Sequence, residues 1–143
     1  MALRDDPLSG FNFRVEIDGI TVAGFSECSG LSNETDAIEY RNGNTDITVT
    51  KLPGLKKFGN ITLKRGIAPN KRELLDWRQS VLDGKTDRKS GAIVLQNEAR
   101  QDALTWTFSQ AWPRKLEGPN LNGKTNEVAI ETLEIVVEKL SRE

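Results

Sequence analysis

The sequence predicts a mainly β fold: a small antiparallel β-barrel or sandwich with one packed α-helix at about residues 70–83. Two observations lead to this prediction. Apolar and polar residues alternate over about eight short segments, which is the period of a strand with one buried face. Short turns rich in glycine, asparagine and aspartate join these segments at the spacing of hairpins, and only one segment carries apolar residues convincingly at helical spacing.

Length and composition predict one domain spanning residues 1–143. A chain of 143 residues is long enough to bury a core. Its hydrophobic content (36%) and charged content (29%) are ordinary for a globular protein, and no apolar run approaches the roughly 18 residues of a membrane span. The first ten residues carry acids and a proline where a secretory leader needs a basic end, so we expect assembly in the cytoplasm without a signal peptide.

The first segments predict a hairpin and a loop. Residues 11–17 alternate as a strand, and Asp18–Gly19 supplies a turn. We expect residues 20–25 to pair back on the first strand. Residues 26–33 are small and polar and predict a loop.

The next segments predict a long hairpin. Residues 35–40 and 46–52 flank a strong Asn42–Gly43 turn signal. Their side chains are mostly polar, so much of the hairpin should stand clear of the protein's own core, either as a solvated loop or as an arm that reaches another chain. A Pro53–Gly54 turn is expected next, followed by a strand at residues 60–65.

One helix follows. Asn70 is the expected cap, with Glu73 three residues on in capping-box spacing. Asp83–Gly84 supplies the stop. The apolar stripe of this helix consists of Leu74, Leu75, Trp77, Val81 and Leu82. Trp77 is expected to pack in the core.

The last third predicts a hairpin, a connection and a final strand. Residues 91–96 and 103–108 alternate as two hairpin strands. Residues 112–125 contain two prolines and two glycines without a period, which predicts a surface connection. The segment after it fits either a helix or a strand; its β-branched residues favour a strand over residues 131–138.

Elimination removes most catalytic and metal chemistry. Carboxylate chemistry survives, but nothing in the sequence singles out a pair of carboxylates, so no catalytic, metal or cofactor residue is predicted. The chain has no histidine and one cysteine, so Cys–His and Ser–His–Asp catalysis and histidine-containing zinc sites are excluded. No phosphate-binding glycine motif is present. Cys28 is expected to be a small buried hydrophobic residue, with a reactive thiol as the alternative.

Charge is strongly segregated along the chain. Residues 15–40 carry six acids and no base, whereas residues 51–72 carry seven bases and no acid, in a chain whose net charge is −1. The two blocks can pair inside one molecule, where surface pairs are worth little. Alternatively, they can bring copies of the chain together head to tail.

Five ordered segments carry a resemblance to a known family: DPLSGFNFRVEIDG, GFSECSGL, KLPGLKKFGNITLKRG, AWPRKLEGPNLN and NEVAIETLEIV. They run from Asp6 to about Val137. On these segments the chain resembles the tail-tube proteins of contractile phage tails and of phage-tail-like contractile injection systems. None of the segments is a catalytic signature; the resemblance rests on their order and separation.

The resemblance implies a structural protein of tail-tube or Hcp-like fold. Six protomers would close into a ring, and rings would stack into a hollow conduit for cargo. The implied partners are further copies of the chain, a sheath, spike or baseplate and terminator proteins, and cargo in the lumen. No enzymatic activity, cofactor or direct lipid binding is implied, and the particle would be released or membrane-anchored.

The resemblance also implies where protomers touch. The hairpin at residues 40–60 would reach neighbouring rings, and the N-terminal segment at residues 6–11 would make a second contact. The expected contact residues are Asp6, Pro7, Phe11, Arg41, Asn42, Lys51, Leu52, Pro53, Gly54, Leu55, Lys56 and Lys57. Polar residues near Thr62, Lys64, Thr105 and Thr107 are expected to face the channel or the ring exterior.

Two alternatives remain open. Within the same family, the chain could be a tube initiator at the baseplate rather than the main tube subunit. Outside it, the seven bases of residues 51–72 suggest a nucleic-acid-binding β-barrel module. The near-neutral charge of the whole chain and the scarcity of aromatic residues among those bases argue against the second alternative.

Overall fold

The computed structural model describes residues 8–10, 12–18, 24–41, 43, 49–69, 71–124 and 128–143. Within them the chain forms nine strands and one helix, so the predicted mainly β fold with a single helix is confirmed. The elements are β1 (Phe13–Ile17), β2 (Phe25–Ser29), β3 (Asn33–Tyr40), β4 (Thr50–Phe58), β5 (Ile61–Gly66), α1 (Glu73–Leu82), β6 (Lys89–Gln96), β7 (Asp102–Glu117), β8 (Ile130–Val136) and β9 (Lys139–Arg142).

Seven strands form one antiparallel sheet in the order β1-β6-β7-β8-β5-β2, with β9 paired to β7. Strand β7 joins the two halves of this sheet. Its first part pairs with β6 and β9, and its second part pairs with β8. At Gln110, between the two parts, the backbone is left-handed (φ 54°). Strands β1 and β2 are the two ends of the sheet, so the described residues form an open barrel.

The core lies between the two halves of the sheet and under α1. Alternation decides which side chains enter it: Ile61 and Leu63 of β5 and Leu133 and Ile135 of β8 are fully buried, while the residues between them are partly exposed. Leu74 and Trp77 of α1 pack into the same cluster. The Nε1–H of Trp77 also donates to the carbonyl oxygen of Asp87 (2.6 Å), which satisfies the indole where it is buried.

Strands β3 and β4 form a separate two-stranded sheet. The two strands pair along their length, and nearly all of their side chains are exposed. The prediction that this hairpin stands clear of the core is confirmed. The predicted Pro53–Gly54 turn is wrong, because both residues lie inside β4. Each strand of a two-stranded sheet is an edge strand, where a proline can sit without removing a ladder hydrogen bond.

The predicted loop at residues 26–33 is also wrong, because Phe25–Ser29 is strand β2 and pairs with β5. Strand β1 pairs with β6. The predicted return arm at residues 20–25 lies largely outside the described residues.

The predicted connection at residues 112–125 is wrong in its first half, because β7 continues to Glu117. Pro113 is buried opposite Ile135 of β8. At this point β7 pairs with β8 alone, so the proline can face the unpaired side. A bulge at Arg114 then restores the pairing. The predicted strand at residues 131–138 is confirmed as β8, while β9 was not predicted.

The helix begins later than predicted, at Glu73. The N-cap residue is Arg72, and its side chain makes no capping hydrogen bond. Asn70, the predicted cap, lies outside the described residues. Only part of the predicted stripe is buried: Leu74 and Trp77 enter the core, whereas Leu75 (46%) and Leu82 (62%) remain exposed.

Candidate assembly interface

The β3–β4 hairpin continues a ladder that begins in the core sheet. Ser29 of β2 lies opposite Thr62 of β5. A few residues further along the same two chain segments, Asn33 of β3 lies opposite Phe58 of β4. The ladder therefore has two parts: β2–β5 belongs to the core sheet, and β3–β4 projects from it as an arm.

Two glycines form the joint between these parts. Gly30 is left-handed (φ 90°), and a Cβ added to it would collide with the backbone carbonyl of Asn60. The N–H of Ser32 donates to the carbonyl oxygen of Gly30 (2.8 Å), and the N–H of Gly59 donates to that of Ser32 (3.0 Å). The two segments approach so closely here that a side chain at Gly30 would disturb the joint.

One face of the arm is apolar and exposed. Ile38 lies directly opposite Leu52, and Tyr40 lies opposite Thr50 two residues along, so these side chains share a face. Ile38 (52%), Tyr40 (53%) and Leu52 (46%) are all substantially exposed. A Cβ at Gly54 would approach Ile38 Cγ1 to 2.9 Å, so this glycine leaves room for the isoleucine. Exposed apolar patches of this kind mark interaction surfaces.

A bulge in β4 exposes one further apolar residue. Ala37 lies opposite Pro53 and Thr35 opposite Lys56, which places an extra residue in β4 between these pairs. Leu55 lies in this bulge and is 73% exposed. The arm therefore offers Leu55 to solvent in addition to its apolar face.

The charges of the arm are partly paired within the molecule. Lys57 Nζ lies 3.1 Å from Asp36 Oδ2, and Glu39 lies directly opposite Lys51 in the ladder. Intramolecular pairing, which the sequence left open, therefore accounts for part of the opposed charge blocks. Among the described residues, Lys57–Asp36 is the one ion pair of the arm, so the arm exposes charged side chains such as Lys56 as well as its apolar side chains.

Arg65 belongs to the basic segment but is unavailable to a partner. Its guanidinium is buried, donates from Nε to Glu131 Oε1 (2.6 Å), and lies 3.6 Å from a Glu73 carboxylate oxygen and over the ring of Phe25. It joins β5 to β8 and α1. Alternation could have revealed this position, because residue 65 shares a face with the two buried residues of β5.

The thiol of Cys28 is less reactive than an exposed thiol. Cys28 is half-buried, and burial raises the pKa of its thiol to about 11, which keeps it protonated at neutral pH. In the ranges that the structure describes, no cluster of three metal-ligating side chains occurs. Over the same ranges, no helix is long and apolar enough to cross a membrane.

The structure places eight of the twelve predicted contact residues. Arg41 is exposed where β3 ends. Lys51, Leu52, Pro53, Gly54, Leu55, Lys56 and Lys57 all lie on β4, and all but the half-exposed Gly54 are exposed. Asp6, Pro7, Phe11 and Asn42 lie outside the described residues. Sequence reasoning missed Ile38 and Tyr40, although both stand at alternate positions of the predicted strand.

The family model and the solved structures that match this chain point to the same kind of protein. Residues 9–141 match the family model described as T4-like virus tail tube protein gp19. No curated protein sequence matches the chain.

Many solved structures are similar to this fold, and three illustrate the range. A chain of the extracellular contractile injection system PVC, from the cryo-EM structure of its sheath–tube complex in the extended state, is 30% identical, with 97% of this chain and 93% of that one covered and a TM-score of 0.88. A chain of the anti-feeding prophage (AFP) baseplate, 6-fold symmetrised, is 25% identical, with coverage of 98% and 97% and a TM-score of 0.85. Hcp1 from Flavobacterium johnsoniae shares the fold at 19% identity, with coverage of 90% and 93% and a TM-score of 0.53.

Proposed function

Since the chain belongs to the T4-like virus tail tube protein gp19 family, and is therefore a structural tube protein, we propose that six copies close into a ring and that rings stack into a hollow tube. The observation that carries the proposal is the extent of the family match. Residues 9–141 include the core sheet, the helix and the projecting arm, so nearly every element of this chain has a counterpart in the family. The sixfold order is in keeping with the 6-fold symmetrised baseplate to which a similar chain belongs.

The arm joins one ring to the next in this proposal. Its apolar face of Ile38, Tyr40 and Leu52 is exposed in the protomer, and burial of such surface is worth roughly 25 cal/mol per Å². An arm that projects from the core sheet can bury this face against a neighbour without rearranging its own core. Of the bases of β4, Lys57 lies on the same side of the arm as Ile38, whereas Lys51 and Lys56 lie on the other side. These charged side chains would set the register of the contact.

The two ends of the core sheet join protomers within a ring. Strand β1 pairs only with β6 and β2 only with β5, so each has one side whose backbone groups have no strand beside them among the described residues. Such edges favour pairing with another chain. Pairing of one protomer's edge with the next would continue the sheet around the ring.

The proposed partners follow from the kind of particle. A sheath surrounds the tube, spike or baseplate and terminator proteins close its ends, and cargo occupies the lumen of a particle that acts outside the producing cell. The chain catalyses no reaction and binds no lipid directly. The N-terminal residues Asp6, Pro7 and Phe11 make a second contact between protomers.

The two alternatives have less support. A baseplate-proximal tube initiator would be favoured by the similarity to an AFP baseplate chain, but the identity there (25%) is lower than to the sheath–tube chain (30%). A nucleic-acid-binding module needs accessible bases. In the basic segment, Arg65 is buried, and Lys57 and Lys64 lie beside carboxylates.

Electron microscopy of the purified chain tests the proposal. The wild-type chain at raised concentration, alone and with its sheath and end proteins, should form tubes with sixfold end views in negative stain. The double variant Ile38→Ser/Leu52→Ser should give a folded protein without tubes. Leu82→Ser, which removes an exposed leucine (62%) from α1, is the matched control and should assemble. Wild-type protein that stays monomeric under all these conditions would overturn the proposal.

A further inference from the structure

One side of the core sheet carries two adjacent rows of polar side chains. The first row crosses four strands through Glu27, Lys64, Thr132 and Glu117. The second row crosses the same strands through Ser29, Thr62, Glu134 and Lys115. Residues that alternate with these rows, such as Leu63 and Leu133, are fully buried. We call the surface formed by the two rows, together with Arg114, the polar face.

The charges of the polar face are balanced and paired. Its three bases each lie within ion-pair distance of one of its three acids: Lys64 and Glu27 at 3.7 Å, Arg114 and Glu134 at 2.7 Å, and Lys115 and Glu117 at 3.6 Å. Asn60 also donates to Glu134 (3.2 Å). All six charged side chains remain accessible to solvent.

The first row of the polar face borders a depression. The depression is open and about 550 Å³ in volume, and the entire first row belongs to its lining. The helix lies on the opposite side of the sheet, where Leu74 and Trp77 pack with the buried residues of β5 and β8. The polar face is therefore the side of the sheet turned away from the core and the helix, and it is the side free to border a channel.

We infer that the polar face lines the lumen of the tube and that its paired, balanced charges suit the passage of polypeptide chains of mixed charge rather than the retention of nucleic acid. This inference rests on the proposed tube function. It assigns a surface and a class of cargo to this chain, and it places Thr62 and Lys64 on the channel side.

The paired charges of the polar face determine the electrostatic field inside the channel. Paired opposite charges a few Å apart largely cancel at distances near the Debye length, about 8 Å at physiological salt. Binding of nucleic acid gains its affinity from bases that neutralise phosphates and release counterions, but here each base is already beside a carboxylate. A polypeptide with both signs of charge meets neither a net attraction that would hold it nor a net repulsion that would exclude it.

A dye on the polar face tests its location. In a Cys28→Ala background, Thr132→Cys is labelled after tube assembly with an uncharged dye, and an antibody against the dye is added. The antibody should bind labelled protomers but not intact tubes. The same dye at Gln79→Cys, on exposed α1, is the control and should bind antibody in both states. Antibody binding at position 132 in intact tubes would overturn the inference.

Charged quenchers test the balance of charge in the same tubes. Iodide and caesium should quench the dye at position 132 to equal extents, within about twofold, once normalised to free dye, because no net potential concentrates either ion. The triple variant Glu27→Gln/Glu117→Gln/Glu134→Gln should raise iodide quenching and lower caesium quenching. A strong preference for either ion in tubes without the triple substitution would contradict the balanced face.

Nuclease protection tests the class of cargo. Wild-type tubes incubated with single-stranded DNA should protect none of it, whereas the triple variant should retain protected DNA. The matched control Glu16→Gln/Asp87→Asn/Glu138→Gln removes one carboxylate from each of three exposed ion pairs elsewhere and should protect none. Protection by wild-type tubes, or equal protection by triple variant and control, overturns the inference.

If the triple variant does not fold or assemble, two results still decide the inference. They are the iodide-to-caesium quenching ratio of the labelled tubes and the protection of DNA by wild-type tubes. Failure of the wild-type chain to form tubes would overturn the proposed function and this inference together, whereas intact tubes with the wrong accessibility, quenching or protection overturn the inference alone.

Discussion

Both parts of the β2–β5/β3–β4 ladder carry apolar side chains, but these side chains meet different surroundings. In β5, Ile61 and Leu63 are fully buried, whereas in β4, Leu52 and Leu55 are 46% and 73% exposed. Alternation alone predicts a strand with one apolar face, but it does not say what covers that face. In the core part, the rest of the chain covers the apolar face. In the arm, we propose that another copy of the chain covers it.

The largest loss of stability is expected at Arg65, where the core part holds a buried ion pair. Arg65→Ala leaves Glu131 buried without its partner, and such a change costs about 3–5 kcal/mol of unfolding free energy. Urea denaturation measures this loss. The neighbour Lys64 is the control: its pair is exposed, so Lys64→Ala should cost no more than about 1 kcal/mol. Equal losses would show that the burial of Arg65 does not matter.

A matched pair of leucines contrasts core and arm directly. Leu63→Ala should lower the unfolding free energy by about 2–5 kcal/mol because it leaves a cavity in the core. Leu52→Ala should change it by no more than about 0.5 kcal/mol and should instead reduce tube formation. Denaturation and sedimentation of assembled tubes measure the two effects. A stability loss at Leu52 as large as that at Leu63 would mean that the arm packs on its own core.

The joint between core and arm is expected to tolerate substitution poorly. Gly30→Ala places a side chain on a left-handed residue, at about 1–2 kcal/mol, and drives its Cβ into the Asn60 backbone. Gly84→Ala meets the same strain (φ 77°) but open space, so it isolates the cost of the backbone conformation. Gly30→Ala should therefore lose more stability than Gly84→Ala in thermal denaturation. Equal losses would argue against a close joint.

Acid should weaken the polar face. The hydrogen bond from Asn60 and the guanidinium of Arg114 hold the pKa of Glu134 below its ordinary value of 4.5. Because the folded pKa is depressed, the stability that Glu134 contributes is fully present above pH 4.5 and is lost as the pH falls through the folded pKa. Glu134→Gln should flatten this part of the pH–stability curve, measured by urea denaturation from pH 7 to pH 3. An unchanged slope would contradict the assigned contacts.

The smallest change in stability is expected at the charged edge of the arm. Lys56→Glu/Lys57→Glu should change the unfolding free energy by no more than about 0.5 kcal/mol, because both side chains are exposed and the Lys57–Asp36 pair is a surface pair. It should nevertheless block stacking of rings, which negative-stain images would reveal. Full-length tubes from this variant would mean that these lysines are merely solvated.

The sequence predicted most of the strands. It failed at prolines and at a glycine, because these residues occur both in turns and in strands with an unpaired side. Alternation located β1, β5, β6 and β8, because one buried face leaves a period of two. The Asn42–Gly43 turn signal located β3. Pro113 and the Pro53–Gly54 pair were interpreted as breaks, yet each lies in a strand at a point with an unpaired side. Which side of a strand lacks a neighbour depends on distant segments, so local sequence cannot supply it.

The candidate interface was also predicted only in part. The basic residues and the Leu52–Leu55 segment of β4 were identified from the resemblance, and the structure places them together on the arm. Ile38 was not among the predicted contact residues, because only the register shows that it lies opposite Leu52. Arg65 was counted as a surface base, because its partners Glu131 and Glu73 come from other elements.

A cryo-EM map of tubes assembled from the purified wild-type chain tests the central claim most directly. We expect sixfold rings whose β3–β4 arms touch the next ring, with Ile38, Tyr40 and Leu52 buried at that contact and the polar face toward the lumen. Arms that remain in solvent between stacked rings, or an assembly without rings, would contradict the central claim.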